Sequence, residues 1–310
     1  MVLPGLIAAA ALAGAAVVDR PVQIGAGPAA LHGVLTAPSL RPKSAAVLII
    51  NGSGPTDRDG DDLKDGARAQ PARLLALALA ERRVTSLRYD KRGVGESEAA
   101  GDPTSIGQLA DDAAAWVRVL KAQKGVRCVV IVGHSEGALV GALAAQKEKL
   151  CGLVAVSGAS QNLGELIEAQ GAVVRRPPEV GARIHEIIEA LRSGRPVGEV
   201  PPGYEGVFGP KSAAFTSSQI SLDPTAELAK VKAPVMVVQG DNDLQETVDS
   251  ARRLAAAAHV EPVIISGMTH ALKLAAPKDV KANIATYTDP DLPLAPGLVH
   301  AVADFVLSRK

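Results

Sequence analysis

From residue 22 onward, short apolar runs alternate with segments whose apolar residues recur at helical spacing. Residues 84–89 read as a strand, and the runs at 45–50, 127–132, 153–157 and 234–239 are almost continuously apolar. That is the pattern of strands covered on both faces of a parallel sheet. A shorter run at 262–265 predicts a further strand, and 22–24 with 31–36 flank Gly25-Ala26-Gly27-Pro28 as an edge hairpin. Between the runs, 71–83, 138–146 and 247–257 read as helices, and 298–307 as a closing one. Thr104 or Ser105 caps another, in which Leu109, Ala113, Trp116, Val117 and Leu120 share one face. The alternation predicts an α/β class chain with a mostly parallel central sheet flanked by helices.

The alternation stops at 159 and resumes at 233. The interval holds helical patterns at 163–174 and 180–191, then a Pro/Gly-rich stretch at 195–210. An insertion of this length between strands predicts a helical lid over the site. The expected organisation is therefore a core of 19–158 and 233–310 with a lid at 159–232. Residues 1–18 are Ala-rich and nearly uncharged, with Ala11-Leu12-Ala13 or Ala13-Gly14-Ala15 as cleavage sites. They read as a signal peptide, which implies an exported protein, periplasmic or secreted. A buried N-terminal helix in a cytoplasmic protein is the alternative.

Composition narrows the chemistry. Hydrophobic residues make up 47% and charged residues 21%, so a full core is expected, but aromatic residues are only 2%. The core must be aliphatic, and a site of stacked rings would be short of material. Lys plus Arg and Asp plus Glu number 33 each. Such balance gives no long-range pull on nucleic acid or an anionic membrane, so no nucleic-acid partner is expected. Cys128 and Cys151 lack metal-ligand spacing and read as two buried thiols, with a disulfide open to an exported chain.

The strongest motif is Gly133-His134-Ser135-Glu136-Gly137, set between a buried strand and a helix. A serine on that tight turn stands clear of the sheet, and glycines two residues to either side remove the clash of strand against helix. Serine needs a base to become a nucleophile. Of six histidines, His270 lies in the loop after the last strand, at the carboxyl end where open sheets place their sites. His134, inside the elbow, is expected to point away from the serine. The acid follows the preceding strand, in Gln239-Gly240-Asp241-Asn242-Asp243, where Asp241 and Asp243 compete. Ser135, an Asp and His270 in that order make a catalytic triad. Two backbone amides are expected to form an oxyanion hole: Glu136, after the serine, and Ser53 in the loop Asn51-Gly52-Ser53-Gly54, with Gly54 second.

These residues carry a family resemblance. Asn51-Gly52-Ser53-Gly54-Pro55-Thr56-Asp57-Arg58-Asp59-Gly60, Leu87-Arg88-Tyr89-Asp90-Lys91-Arg92-Gly93-Val94-Gly95 and the elbow resemble the α/β-hydrolase superfamily. More narrowly they resemble bacterial EstD-type serine carboxylesterases. Gln239 to Gln245, His270-Ala271-Leu272-Lys273 and Tyr287-Thr288-Asp289-Pro290 extend the match. Thr269 stands where that family often has Asn. The resemblance places the acid three residues after Gly240 and so selects Asp243. It implies ester hydrolysis through an acyl-enzyme on Ser135, a small-molecule ester substrate and no cofactor. The same triad also serves amidases, peptidases and thioesterases, and a non-catalytic binder on this fold is the remaining alternative. The stretch Asp57-Arg58-Asp59-Gly60-Asp61-Asp62 reads as a solvated loop and not a metal site. Asp90 and Arg92 are expected to pair and brace the loop over the site.

Overall fold

The computed structural model describes residues 17–40, 42–62, 66–173 and 176–309. Its strands are β1 (Val17–Ile24), β2 (Leu31–Pro38), β3 (Ala45–Ile50), β4 (Thr85–Tyr89), β5 (Cys128–His134), β6 (Gly152–Val156), β7 (Val235–Gly240) and β8 (Val263–Ile265). They form one sheet in the order β1-β2-β4-β3-β5-β6-β7-β8. β1 and β2 pair antiparallel, β2 pairs antiparallel with β4, and every later pair is parallel.

The helices are α1 (Pro71–Glu81), α2 (Ile106–Lys121), α3 (Glu136–Lys147), α4 (Leu163–Val173), α5 (Pro178–Arg192), α6 (Glu205–Phe208), α7 (Ala213–Ile220), α8 (Pro224–Ala229), α9 (Val248–Ala257), α10 (Val280–Ala285) and α11 (Pro296–Leu307). The period of two along each central strand decides which helices it meets. Ala46, Leu48 and Ile50 of β3 join Val129 and Ile131 of β5 in one apolar layer with α2, α3 and α9. Ala45, Val47 and Ile49 join Val130 and Val132 in the other, with α1 and α11. The centre of the sheet is thus covered on both sides, which is why β3, β5 and β6 read as unbroken apolar runs. None of the helices among the described residues is long and apolar enough to cross a membrane.

The strand order reverses at β3, which has β4 on one side and β5 on the other. The loops leaving β3 and β5 therefore diverge at their carboxyl ends and leave a crevice there. The elbow and the loop after Ile50 both open on it.

β1 is longer than the expected 22–24 and starts at Val17, so the segment read as a signal peptide overlaps it by Val17 and Val18. Residues 1–16, with both cleavage motifs, lie outside the described residues. The added stretch is polar at Asp19 and Arg20, so no alternation marks it. It is held instead by Asp19, which accepts from Arg88 at 3.0 Å and from Thr36 at 2.6 Å. Cys128 and Cys151, read as buried thiols, are joined in the structure, with their Cα atoms 5.6 Å apart.

The insertion divides in two. Residues of α4, α5, α6 and α7, among them Ile184, Ile187, Ile188, Phe208 and Ile220, form a third apolar cluster of their own. Leu228 of α8 belongs instead to the main core, and Asp223 caps that helix.

Candidate active site

The elbow joins β5 to α3 with no intervening loop. Ser135 sits at φ 54° and ψ −121°, a region that costs a residue with a Cβ on the order of 1–3 kcal/mol. Its amide donates to the Val156 carbonyl at 2.9 Å, and its carbonyl accepts from Ala138 at 2.9 Å. The flanking glycines answer to contact distances. A Cβ on Gly133 would lie 2.1 Å from the Gly137 carbonyl oxygen, and one on Gly137 would lie 2.4 Å from that of Ile50. No side chain fits at either position, so the strand can turn into the helix this sharply only through glycine.

His270 and Asp243 meet as the loops after β8 and β7 converge. His270 Nδ1 lies 2.9 Å from Asp243 Oδ2, with both side chains buried. Gln239 Nε2 donates to the same oxygen at 3.0 Å. The amides of Gln245 and Glu246 donate to Asp243 Oδ1 at 2.8 and 2.9 Å. Burial alone would raise the carboxyl's pKa, but the bonds and charge from His270 and the two amides outweigh it and hold it below the ordinary value. Asp241 instead accepts the Gly267 amide at 2.6 Å, so it ties the β8 turn to β7. Of the two aspartates that compete on the residue pattern, Asp243 is the one in contact with the imidazole.

His134 does not simply point away. Its Nε2 lies 3.0 Å from the carbonyl oxygen of His270, and the two rings are 4.8 Å apart. A carbonyl only accepts, so Nε2 carries the proton and donates. Burial and the neighbouring His270 push its pKa down to about 3, which keeps the ring neutral. The residue before the serine thus anchors the backbone of the histidine.

The loop after β3 closes on itself through Asn51 Nδ2, which donates to the Asp57 carbonyl at 2.7 Å. It presses on the elbow: a Cβ on Gly52 would lie 3.2 Å from that of Ser135. Ser53, Ser135 and Glu136 line one small cavity of about 90 Å³.

A family profile described as the alpha/beta hydrolase family matches residues 47–282, which spans the sheet from β3 to β8 and both loops of the buried pair. The chain belongs to the α/β-hydrolase family. It is 28% identical over 225 residues to Esterase EstD of Thermotoga maritima, covering 70% of this chain and 51% of that relative. The chain thus spans about half the length of the curated relative it matches. Among solved structures, Est1E from Butyrivibrio proteoclasticus superposes with a TM-score of 0.57 at 18% identity, covering 93% of this chain and 97% of that one. The Pyrococcus furiosus esterase Pf2001 does so with a TM-score of 0.55 at 18% identity, covering 94% and 92%. At these identities the two structures speak to the fold.

In this α/β hydrolase two helices of the insertion reach the cavity beside Ser135. Leu163 and Leu166 of α4 and Gln219 of α7 line it, opposite Leu139 of α3. Gln219 Nε2 donates to Glu136 Oε2 at 2.5 Å, and Lys91 Nζ donates to Glu136 Oε1 at 2.9 Å. The partners lie 83 and 45 residues from Glu136, so no local pattern marks either contact.

Glu246 also lines the cavity, buried, with Ser250 Oγ donating to it at 3.1 Å. Burial pushes its carboxyl from the ordinary 4.5 up to about 7. A carboxyl raised on folding holds its proton longer in the folded state. Its contribution to stability is complete below the unfolded value and is lost as pH rises through the folded one. Glu246→Gln removes that loss. The variant's stability relative to the wild type should therefore increase between pH 4.5 and 8, by up to about 3 kcal/mol. Thermal melts of both proteins across this range test it, and parallel curves of Tm against pH would refute it.

Two expected contacts are corrected. Asp90 does not pair with Arg92. It accepts from the Arg58 amide at 2.7 Å and from Arg58 Nε at 3.0 Å, while Arg92 forks onto Asp112 of α2 with both contacts at 2.7 Å. The planar guanidinium takes the carboxylate that it can grip at two points. The stretch 57–62 is not simply solvated. Asp57 accepts the amides of Asp59 and Asp61 at 2.9 and 3.0 Å, Asp61 is buried, and Asp59 binds Arg88 at 2.8 Å. No group of three or more metal-ligating side chains is found among the described residues.

Proposed function

We propose that this chain is a serine carboxylesterase acting on small, short-chain acyl esters. The carrying observation is the 2.9 Å contact between His270 and Asp243, together with the strand-to-helix turn that holds Ser135 at φ 54°. The relative named Esterase EstD supports the same reaction class.

Ser135 Oγ attacks the ester carbonyl carbon as His270 Nε2 takes its proton. The carbonyl oxygen becomes an oxyanion between the amides of Ser53 and Glu136, the second lying at the first turn of α3, where the helix dipole is positive. Collapse breaks the bond to the alcohol oxygen, and His270 returns the proton to the leaving alkoxide. An acyl group now sits on Ser135. Water then gives a proton to His270 and attacks the same carbon. A second collapse frees the carboxylic acid and restores the hydroxyl. Asp243 stays ionised throughout, fixes the proton on Nδ1 and stabilises the imidazolium.

The small cavity, walled by Leu139, Leu163 and Leu166, favours a short apolar acyl chain. A series of p-nitrophenyl esters tests this. The expected kcat/KM is highest for acyl chains of about two to six carbons and falls at least tenfold by about ten carbons, since each methylene without a place in the pocket costs about 1 kcal/mol or more. A rising profile toward long chains would sink the size assignment, and silence on every ester would sink the reaction.

A further inference from the structure

Lys91 follows β4 and is 6% exposed. Its ammonium donates to the carbonyl oxygens of Gly52 and, at 3.3 Å, Gly54, as well as to Glu136 Oε1. Three acceptors match the three protons of an ammonium. The two carbonyls bracket Ser53, whose amide is one of the two proposed oxyanion donors. A trans peptide is planar, and its C=O and N–H point to opposite sides. An ammonium gripping the Gly52 carbonyl therefore aims the Ser53 N–H away from itself. Ser53 lies on the wall of the cavity that Ser135 shares. Donation to a carbonyl also polarises its amide, which strengthens the N–H as a donor. Folding alone gives little reason for a charge here, because a buried ion pair is often replaced by apolar side chains at no loss of stability.

We propose that Lys91 is a positioning residue for ester hydrolysis, aiming and polarising the Ser53 amide. Glu136 carries the link onward. One carboxylate oxygen holds the ammonium and the other accepts from Gln219 of α7, so the oxyanion loop and the cap share one anchor. The proposal rests on the esterase reading above.

The test compares wild type with Lys91→Met on p-nitrophenyl butyrate, with inhibition by a straight-chain trifluoromethyl ketone and with thermal melts. A misaimed donor should lower kcat by about 10- to 100-fold, less than the roughly 10²–10³ for losing a donor outright. KM should stay within about threefold. The ketone forms a tetrahedral oxyanion on serine, so its Ki should rise by the factor by which kcat/KM falls. A wild-type kcat and ketone Ki in Lys91→Met, with or without a lower Tm, would overturn the proposal, as would a change confined to KM. If Lys91→Met does not fold, Glu136→Gln loosens the ammonium and should show the same split at about 3- to 10-fold, and an unchanged kcat there overturns the proposal. A wild type silent on every ester defeats the esterase reading itself and this inference with it. An active wild type beside an unaffected Lys91→Met defeats the Lys91 assignment alone.

Discussion

Ser135→Ala is expected to lower kcat for p-nitrophenyl butyrate by about 10⁵- to 10⁶-fold, with KM nearly unchanged. The size follows from the loss of the covalent route. Without the hydroxyl, His270 and the two amides can only assist water, and serine hydrolases stripped of their nucleophile retain about 10³–10⁴ over the uncatalysed rate. The fold should tolerate the change. The residue at this site keeps its Cβ, and its backbone bonds to Val156 and Ala138 do not involve the hydroxyl. Purified variant, melted to confirm folding and assayed against the wild type, gives the answer. A residual kcat above about one per cent would mean that another group attacks the ester.

Asp243→Asn is expected to lower kcat by about 10³- to 10⁴-fold, while Asp241→Asn leaves it within about fivefold. The first substitution presents His270 Nδ1 with an amide in place of a carboxylate. It also confronts the converging donors of Gln239, Gln245 and Glu246 with a group that needs to donate itself. The imidazole then loses the partner that fixes its tautomer, worth about 4–5 kcal/mol in the barrier. At position 241 the carboxylate accepts the Gly267 amide, which an asparagine oxygen can also do. Parallel kinetics of the two variants decide the matter. The reverse ranking would transfer the acid's role to Asp241.

Ser135 was legible because its turn is written locally, as two glycines at fixed offsets between a strand pattern and a helix pattern. His270 was legible through position, as the histidine in the loop after the last strand. Asp243 was not legible from pattern alone, since Asp241 sits at the same strand end, and the resemblance chose between them. The positions around these three were illegible for a different reason. Lys91, Glu246 and Gln219 are polar residues whose burial is imposed by elements distant in sequence. Nothing beside them signals the partner. The same holds for Arg92, which sits two residues from Asp90 yet goes to Asp112 because α2 brings a carboxylate to its open fork. In the fold, the fully covered strands and long helices were readable. The polar half of β1 and the short helices α7, α8 and α10 were not, because tertiary contacts and not periodicity hold them.

The three central residues of the elbow hold separate parts of the molecule. His134 reaches the loop after β8, Ser135 is bonded to β6, and Glu136 reaches both Lys91 after β4 and Gln219 in the cap. Three consecutive residues thus tie the loop after β8, β6, the loop after β4 and α7 to one turn. A substitution at His134 or Glu136 is therefore expected to disturb a distant element along with the turn itself.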